Sequence, residues 1–115
     1  MKTILISGGG GYLGTHLTQE LLKKYKVIVY DEFYFKWLLK NKNKINFNHR
    51  LKIIKKDISN VSRNDFKEVD IVCDLNGIPN DPSSEINKTH TWKINYKGRK
   101  KFANLAKVCG VKRYI

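Results

Sequence analysis

Apolar residues in this chain come in short runs divided by polar or glycine-rich breaks, and their period changes along the sequence. Lys2 to Ser7 is β-branched and apolar and stops at four consecutive glycines, Gly8 to Gly11. Beyond them Tyr12, Leu13, His16, Leu17, Glu20, Leu21 and Leu22 follow at largely helical spacing, so the stretch predicts strand, tight turn, helix. Lys26 to Tyr30 carries Val27, Ile28 and Val29 and ends at Asp31. Its near-continuous hydrophobicity predicts a strand covered on both faces of a parallel sheet.

The remaining pattern alternates in the same way. Phe33 to Leu39 predicts a short amphipathic helix and Asn41 to Asn48 a polar loop. Leu51 to Lys55 reads as a third strand, Arg63 to Lys67 as a helical turn, and Val69 to Leu75 as a fourth strand running into Asn76, Gly77, Ile78 and Pro79. Ser84 to Cys109 is the longest helical stretch, and Gly110 follows it where a left-handed helix terminator would sit, with Val111 to supply the apolar contact. Lys112 to Ile115 then opens a fifth strand. Strands alternating with helices imply an α/β fold with right-handed crossovers: a doubly wound parallel sheet of Rossmann type in the order 3-2-1-4-5, incomplete at its fifth strand. Residues 1–115 form one domain in this reading, long enough to bury a core.

Composition changes this picture little. The apolar fraction of 41% suits a globular chain, and no run approaches a secretory segment or the ~18 apolar residues of a membrane span, which predicts a cytoplasmic protein without a membrane partner. Cys73 and Cys109 have neither metal-ligand spacing nor the density of a disulfide scaffold, and read as buried reduced thiols. The net charge of +13 is the kind of imbalance that nucleic-acid binding produces. Its lysines are dispersed, however, with denser runs at Lys36 to Lys44, His49 to Lys56 and Lys97 to Lys101, and no nucleic-acid recognition motif accompanies them.

The chemistry concentrates in the first turn. Gly8, Gly11 and Gly14 stand at G-x-x-G-x-x-G spacing, directly after a predicted strand and opening a predicted helix. At such a turn the first glycine permits unusual backbone angles, the second lets the main chain approach a pyrophosphate, and the third allows close helix packing. The free N–H groups of the helix then face the phosphates, and a partly buried anion there gains about 1–2 kcal/mol from the helix field. Asp31 ends the second strand 17 residues after Gly14, near the ~20 expected of an acid that accepts from ribose hydroxyls. A carboxylate there repels a 2′-phosphate and so favours NAD over NADP, while Lys36 nearby keeps NADP open.

With those residues in view, the chain resembles the extended short-chain dehydrogenase/reductase family, in its NAD-dependent epimerase/dehydratase branch acting on nucleotide sugars. Ser7 through Gly14, including Tyr12 and Leu13, is similar to that branch's T-G-x-x-G-x-x-G turn, with Ser in place of the usual Thr. Asp57-Ile58 resembles its adenine-binding acid and aliphatic pair, Leu75-Asn76-Gly77 the segment that lines the cofactor at the end of the fourth strand, and Asn95-Tyr96-Lys97-Gly98 its N-V-x-G-T helix motif. The resemblance implies cofactor contacts at each of these positions and covers essentially the whole chain. Two positions depart from the pattern: Asn76 stands where a small residue is common, and Arg99 replaces Thr, a change compatible with a surface.

The family's catalytic Ser or Thr and its Tyr-x-x-x-Lys pair would begin after residue 115, so the resemblance predicts the N-terminal, cofactor-holding half without the catalytic half or the substrate domain. Tyr96 and Lys100 spell Y-x-x-x-K but lie in the helix ahead of the fifth strand, at the N-V-x-G-T position, and are not read as that pair. A nucleotide-sugar substrate is expected only where the missing half is supplied. Two other classes stay open: a stand-alone dinucleotide-binding module or sensor, and a basic nucleic-acid binder, which would need the lysines gathered on one face.

Overall fold

The computed structural model describes residues 1–32, 49–75 and 97–115. Its elements are β1 (Thr3–Ser7), α1 (Tyr12–Leu21), β2 (Lys26–Asp31), β3 (Leu51–Lys55), two 3-10 turns (Ile58–Asn60 and Arg63–Phe66), β4 (Ile71–Asp74), α2 (Arg99–Val108) and β5 (Arg113–Tyr114). The five strands form one sheet in the order β3-β2-β1-β4-β5, and every neighbouring pair is parallel. That is the expected doubly wound order. The chain reverses direction across the sheet between β1 and β4, and in such folds the crevice at the carboxyl ends of those two strands receives the ligand.

Strand alternation sends apolar residues to both faces. Leu5, Ile28, Tyr30 and Val72 meet Phe102 and Ala106 of α2 together with Ile58, Val61 and Phe66 on one side. Ile4, Ile6, Val27 and Val29 meet Leu17, Leu21 and Leu22 on the other. Three rings organise the first face: Phe102 lies edge-on to Tyr30 at 5.3 Å and to Phe66 at 4.9 Å between centroids. β1 is buried at all five positions, as its uninterrupted apolar run requires. β3, at the sheet edge, leaves Lys52, Ile53 and Lys55 exposed, and lysines on an edge strand discourage pairing with other chains.

Element ends differ from the sequence reading for identifiable reasons. β4 begins at Ile71, two residues later than the apolar run, because Val69 N–H turns back to the Phe66 carbonyl and its side chain joins the core. The helical turn at Arg63–Phe66 is 3-10, with Ser62 and Asp65 forming a reciprocal cap at its start. α2 ends as expected: Gly110 has φ +84°, its N–H donates to the Lys107 carbonyl, and Val111 N–H donates to Ala106. The predicted helix over Phe33 to Leu39, the loop over Asn41 to Asn48 and the part of the long helix before Lys97 lie outside the described residues. Both cysteines are unlinked and half-buried, and burial pushes the Cys73 thiol up.

Candidate functional site

The glycine turn sits at the carboxyl end of β1, in the crevice that the sheet order defines. Ser7 is fully buried, and Gly8 follows with φ +76°, a left-handed conformation that glycine adopts without the penalty a side chain brings. Its N–H donates to the Tyr30 carbonyl at 2.8 Å, which folds the turn back over β2. Gly11 is the N-cap of α1; a glycine brings no capping side chain of its own, and the first turn of the helix carries no acid. The helix therefore supplies no negative charge of its own at its positive end, where its field favours an anion.

The three glycines of the motif meet different surroundings. Among the described residues a Cβ on Gly11 would come no nearer than 3.8 Å to its surroundings, at the Gly8 carbonyl oxygen, so they leave the turn open on that side. A Cβ on Gly14 would lie 2.4 Å from Gly9 Cα, so that glycine is required by the close approach of helix to turn. Tyr12 and Leu13 are 64% and 63% exposed, which leaves both accessible beside the turn. The Tyr12 ring stands edge-on to His16 at 4.5 Å.

Asp31 is drawn to the same place. One oxygen of its carboxylate, Oδ2, accepts the Gly10 N–H at 3.0 Å, joining the end of β2 to the crest of the turn. Its carbonyl accepts Lys56 N–H at 3.0 Å, which carries the chain on to Asp57 at the same edge of the sheet. Asp57 caps the first 3-10 turn, its Oδ1 accepting the Ser59 N–H at 2.8 Å and the Ser59 hydroxyl at 2.9 Å. The Ile58 side chain is 3% exposed and packs with Tyr30 and Phe102, a core position whose cofactor role rests on the resemblance alone. Leu75 donates its N–H to the Ser7 carbonyl at 2.8 Å, which sets the end of β4 against the turn. Asn76, Gly77 and Asn95 lie outside the described residues, as does Tyr96.

Sequence reasoning missed the residue beneath the turn. Asp74 ends β4 with a side chain 5% exposed, bonded to Ser7, Tyr114 and Arg99. Arg99 is thus an inward ion-pair partner and not simply a surface replacement for Thr. A lone acid closing an apolar strand was the available signal. The Tyr114 phenol is pushed up by burial, then by the nearby Asp74 charge and hydrogen bond, with Arg99 opposing.

A second feature lies away from the turn. Arg63, Lys97, Lys100 and Lys101 line an open groove of about 600 Å³ along α2, with Asn104, Leu105 and Val108 completing its walls. Among the described residues no group of His, Cys, Asp or Glu is placed to hold a metal ion, and no helix is long and apolar enough to cross a membrane.

These features match a known group of proteins. The family described as NAD dependent epimerase/dehydratase matches residues 4–115, and the chain belongs to it. It is 34% identical over 96 residues to the uncharacterized UDP-glucose epimerase YtcB of Bacillus subtilis strain 168, covering 77% of this chain and 30% of that relative. Among solved structures, UDP-N-acetylglucosamine 4-epimerase from Methanobrevibacter ruminantium in complex with UDP-N-acetylmuramic acid has a TM-score of 0.85 at 22% identity. That alignment covers 98% of this chain and 36% of the other, a likeness of fold. A variant of UDP-glucuronic acid 4-epimerase from Bacillus cereus, in complex with UDP-4-deoxy-4-fluoro-glucuronic acid and NAD, is 26% identical with a TM-score of 0.80, covering 97% of this chain and 38% of that one. The chain thus spans about a third of the length of these relatives.

Proposed function

We propose that this chain is the dinucleotide-holding part of a nucleotide-sugar epimerase or dehydratase, with NAD as its cofactor and the cytoplasm as its compartment. The observation that carries the reading is the turn itself: Gly8 in the left-handed region, Gly11 open, among the described residues, on the side where a phosphate would approach, and α1 opening on a glycine with no acid in its first turn. Gly8, Gly11, Tyr12, Leu13 and Gly14 would hold the pyrophosphate, Asp31 the adenosine ribose, Asp57 and Ile58 the adenine, and Leu75, Asn76, Gly77 and Asn95 the rest of the cofactor. A carboxylate at Asp31 supports NAD over NADP, since a 2′-phosphate would meet its charge. The NAD in the Bacillus cereus structure supports the same choice.

NAD held there would supply a hydride acceptor and donor. The residues of this chain bind and orient the dinucleotide, and none is assigned a proton-transfer role. Lys100 lies in the first turn of α2, exposed and ahead of β5, which supports reading the Tyr96/Lys100 pair as part of the helix motif. The nucleotide sugar would be engaged by parts of the fold that follow β5 in the longer relatives.

A second reading is favoured by one observation, the four cations gathered on the α2 groove, which is the clustering a nucleic-acid binder needs. Calorimetric titration with NAD, NADP, duplex DNA and single-stranded RNA separates the two. NAD binding that persists at physiological salt supports the cofactor reading; polyanion binding that weakens steeply as salt rises, with no NAD binding, supports the other.

A further inference from the structure

The carboxylate of Asp74 lies beneath the glycine turn and joins three separate elements. Its Oδ1 accepts the Ser7 hydroxyl at 2.9 Å, and its Oδ2 accepts Arg99 Nε at 3.1 Å and the Tyr114 hydroxyl at 2.9 Å. Ser7 is the last residue of β1, Arg99 the first of α2, and Tyr114 the last of β5. A carboxylate withdrawn from water is costly unless opposite charge and hydrogen-bond donors surround it, and here a guanidinium and two hydroxyls do so.

Ser7 has little freedom of its own. Its carbonyl accepts Leu75 N–H at 2.8 Å, and the next residue, Gly8, is tied to the Tyr30 carbonyl at 2.8 Å. The hydrogen bond from the Ser7 hydroxyl to Asp74 adds a side-chain tie at the residue from which the turn begins. The position is also the switch point of the sheet, since β1 and β4 are neighbours and Ser7 pairs with Asp74 in their register.

We propose that Asp74 is a positioning residue for the dinucleotide: through the Ser7 hydroxyl it sets the glycine turn, and through Arg99 and Tyr114 it makes that turn depend on α2 and β5. This rests on the reading of the turn as a dinucleotide site. It goes beyond that reading by tying cofactor affinity to Tyr114, a residue of β5 that is not among those read as holding the dinucleotide. β5 and the cradle for the cofactor are thereby held by one carboxylate.

The test compares NAD affinity and melting temperature for Ser7→Ala, Asp74→Ala, Tyr114→Phe and the Ser7→Ala/Asp74→Ala double variant. Asp74→Ala is expected to weaken NAD about tenfold and Ser7→Ala about fivefold, with the double variant no weaker than Asp74→Ala because the hydroxyl acts through the carboxylate. Tyr114→Phe keeps the ring and is expected to weaken NAD about threefold. A purely structural Asp74 would lower the melting temperature while the folded protein binds NAD as before, and losses that multiply in the double variant would show two independent effects; either result overturns the proposal. Should Asp74→Ala fail to fold, unchanged NAD affinity in both Ser7→Ala and Tyr114→Phe overturns it as well. No NAD binding by the unsubstituted chain overturns the cofactor reading and this inference with it, whereas equal binding by all forms overturns this inference alone.

Discussion

Replacing Gly14 by alanine would place a methyl carbon 2.4 Å from Gly9 Cα and 2.7 Å from the Gly9 carbonyl carbon and oxygen. The first distance is about 1 Å short of the ~3.5 Å at which carbon atoms rest in contact, and backbone atoms cannot swing aside as a flexible side-chain end can. Such overpacking costs roughly 1–3 kcal/mol, and a backbone clash this close belongs at the upper end. Alanine returns about 1 kcal/mol through its better helix propensity. The expected net loss is about 2 kcal/mol, or roughly 8 °C in Tm for a chain of this size.

Gly11→Ala behaves differently because its methyl meets nothing nearer than 3.8 Å among the described residues, and the Gly11 backbone, φ −80° and ψ −175°, is open to any residue. Its stability cost is that of a poorer N-cap, about 0.5–1 kcal/mol. The methyl does, however, enter the space where the pyrophosphate would lie, and NAD should weaken about tenfold or more. Thermal denaturation and calorimetric titration of both variants give the comparison. A Gly14→Ala protein melting within about 2 °C of the parent, or a Gly11→Ala protein binding NAD within about twofold of it, would refute the reasoning.

Three further outcomes are expected. Asp31→Asn should weaken NAD more than NADP, because it removes an acceptor for the ribose and a charge that opposes a 2′-phosphate; the ratio of the two dissociation constants checks this. Burial first, and then neighbouring acids, raise the Tyr30 and Tyr114 phenols above the ordinary value near 10, so their contribution to stability is complete below about pH 10 and is lost as pH rises past it. Denaturant midpoints across the alkaline range test that sign, and a midpoint that climbs there would contradict it. The 115-residue chain alone should turn over no UDP-, GDP- or dTDP-sugar in the presence of NAD, measured by product formation and NADH absorbance, with Tyr96→Phe as companion. Turnover by the parent that vanishes in Tyr96→Phe would make that tyrosine catalytic.

What could be read from the residues was what depends on local pattern. The apolar runs of β1 and β2 and the glycine spacing between them lie within a single βαβ unit, so periodicity and turn chemistry were sufficient to predict strand, turn, helix and strand, and the sheet order followed from handedness. Gly110 and Val111 likewise announced the end of α2. The Asp74 cluster was illegible for the opposite reason: Ser7 and Asp74 are 67 positions apart and meet through the parallel register of β1 and β4, while Arg99, 25 positions from Asp74, reaches it from the start of α2. Ile58 shows another limit, because a residue beside a strand end can face a ligand or the core, and its packing against Tyr30 and Phe102 depends on where α2 returns.

Amide shifts during an NAD titration of the 15N-labelled chain test most directly whether the turn between β1 and α1 holds the dinucleotide. Gly10 is a useful marker, since its N–H is held by Asp31 Oδ2 at 3.0 Å and should respond when that carboxylate engages a ribose. Saturable shifts are expected at Gly8, Gly10, Gly11, Tyr12, Leu13, Gly14 and Asp31, with Arg63 and Lys101 on the α2 groove unmoved. Saturable shifts centred on that groove, with the glycine amides unchanged, would contradict a dinucleotide site at the turn.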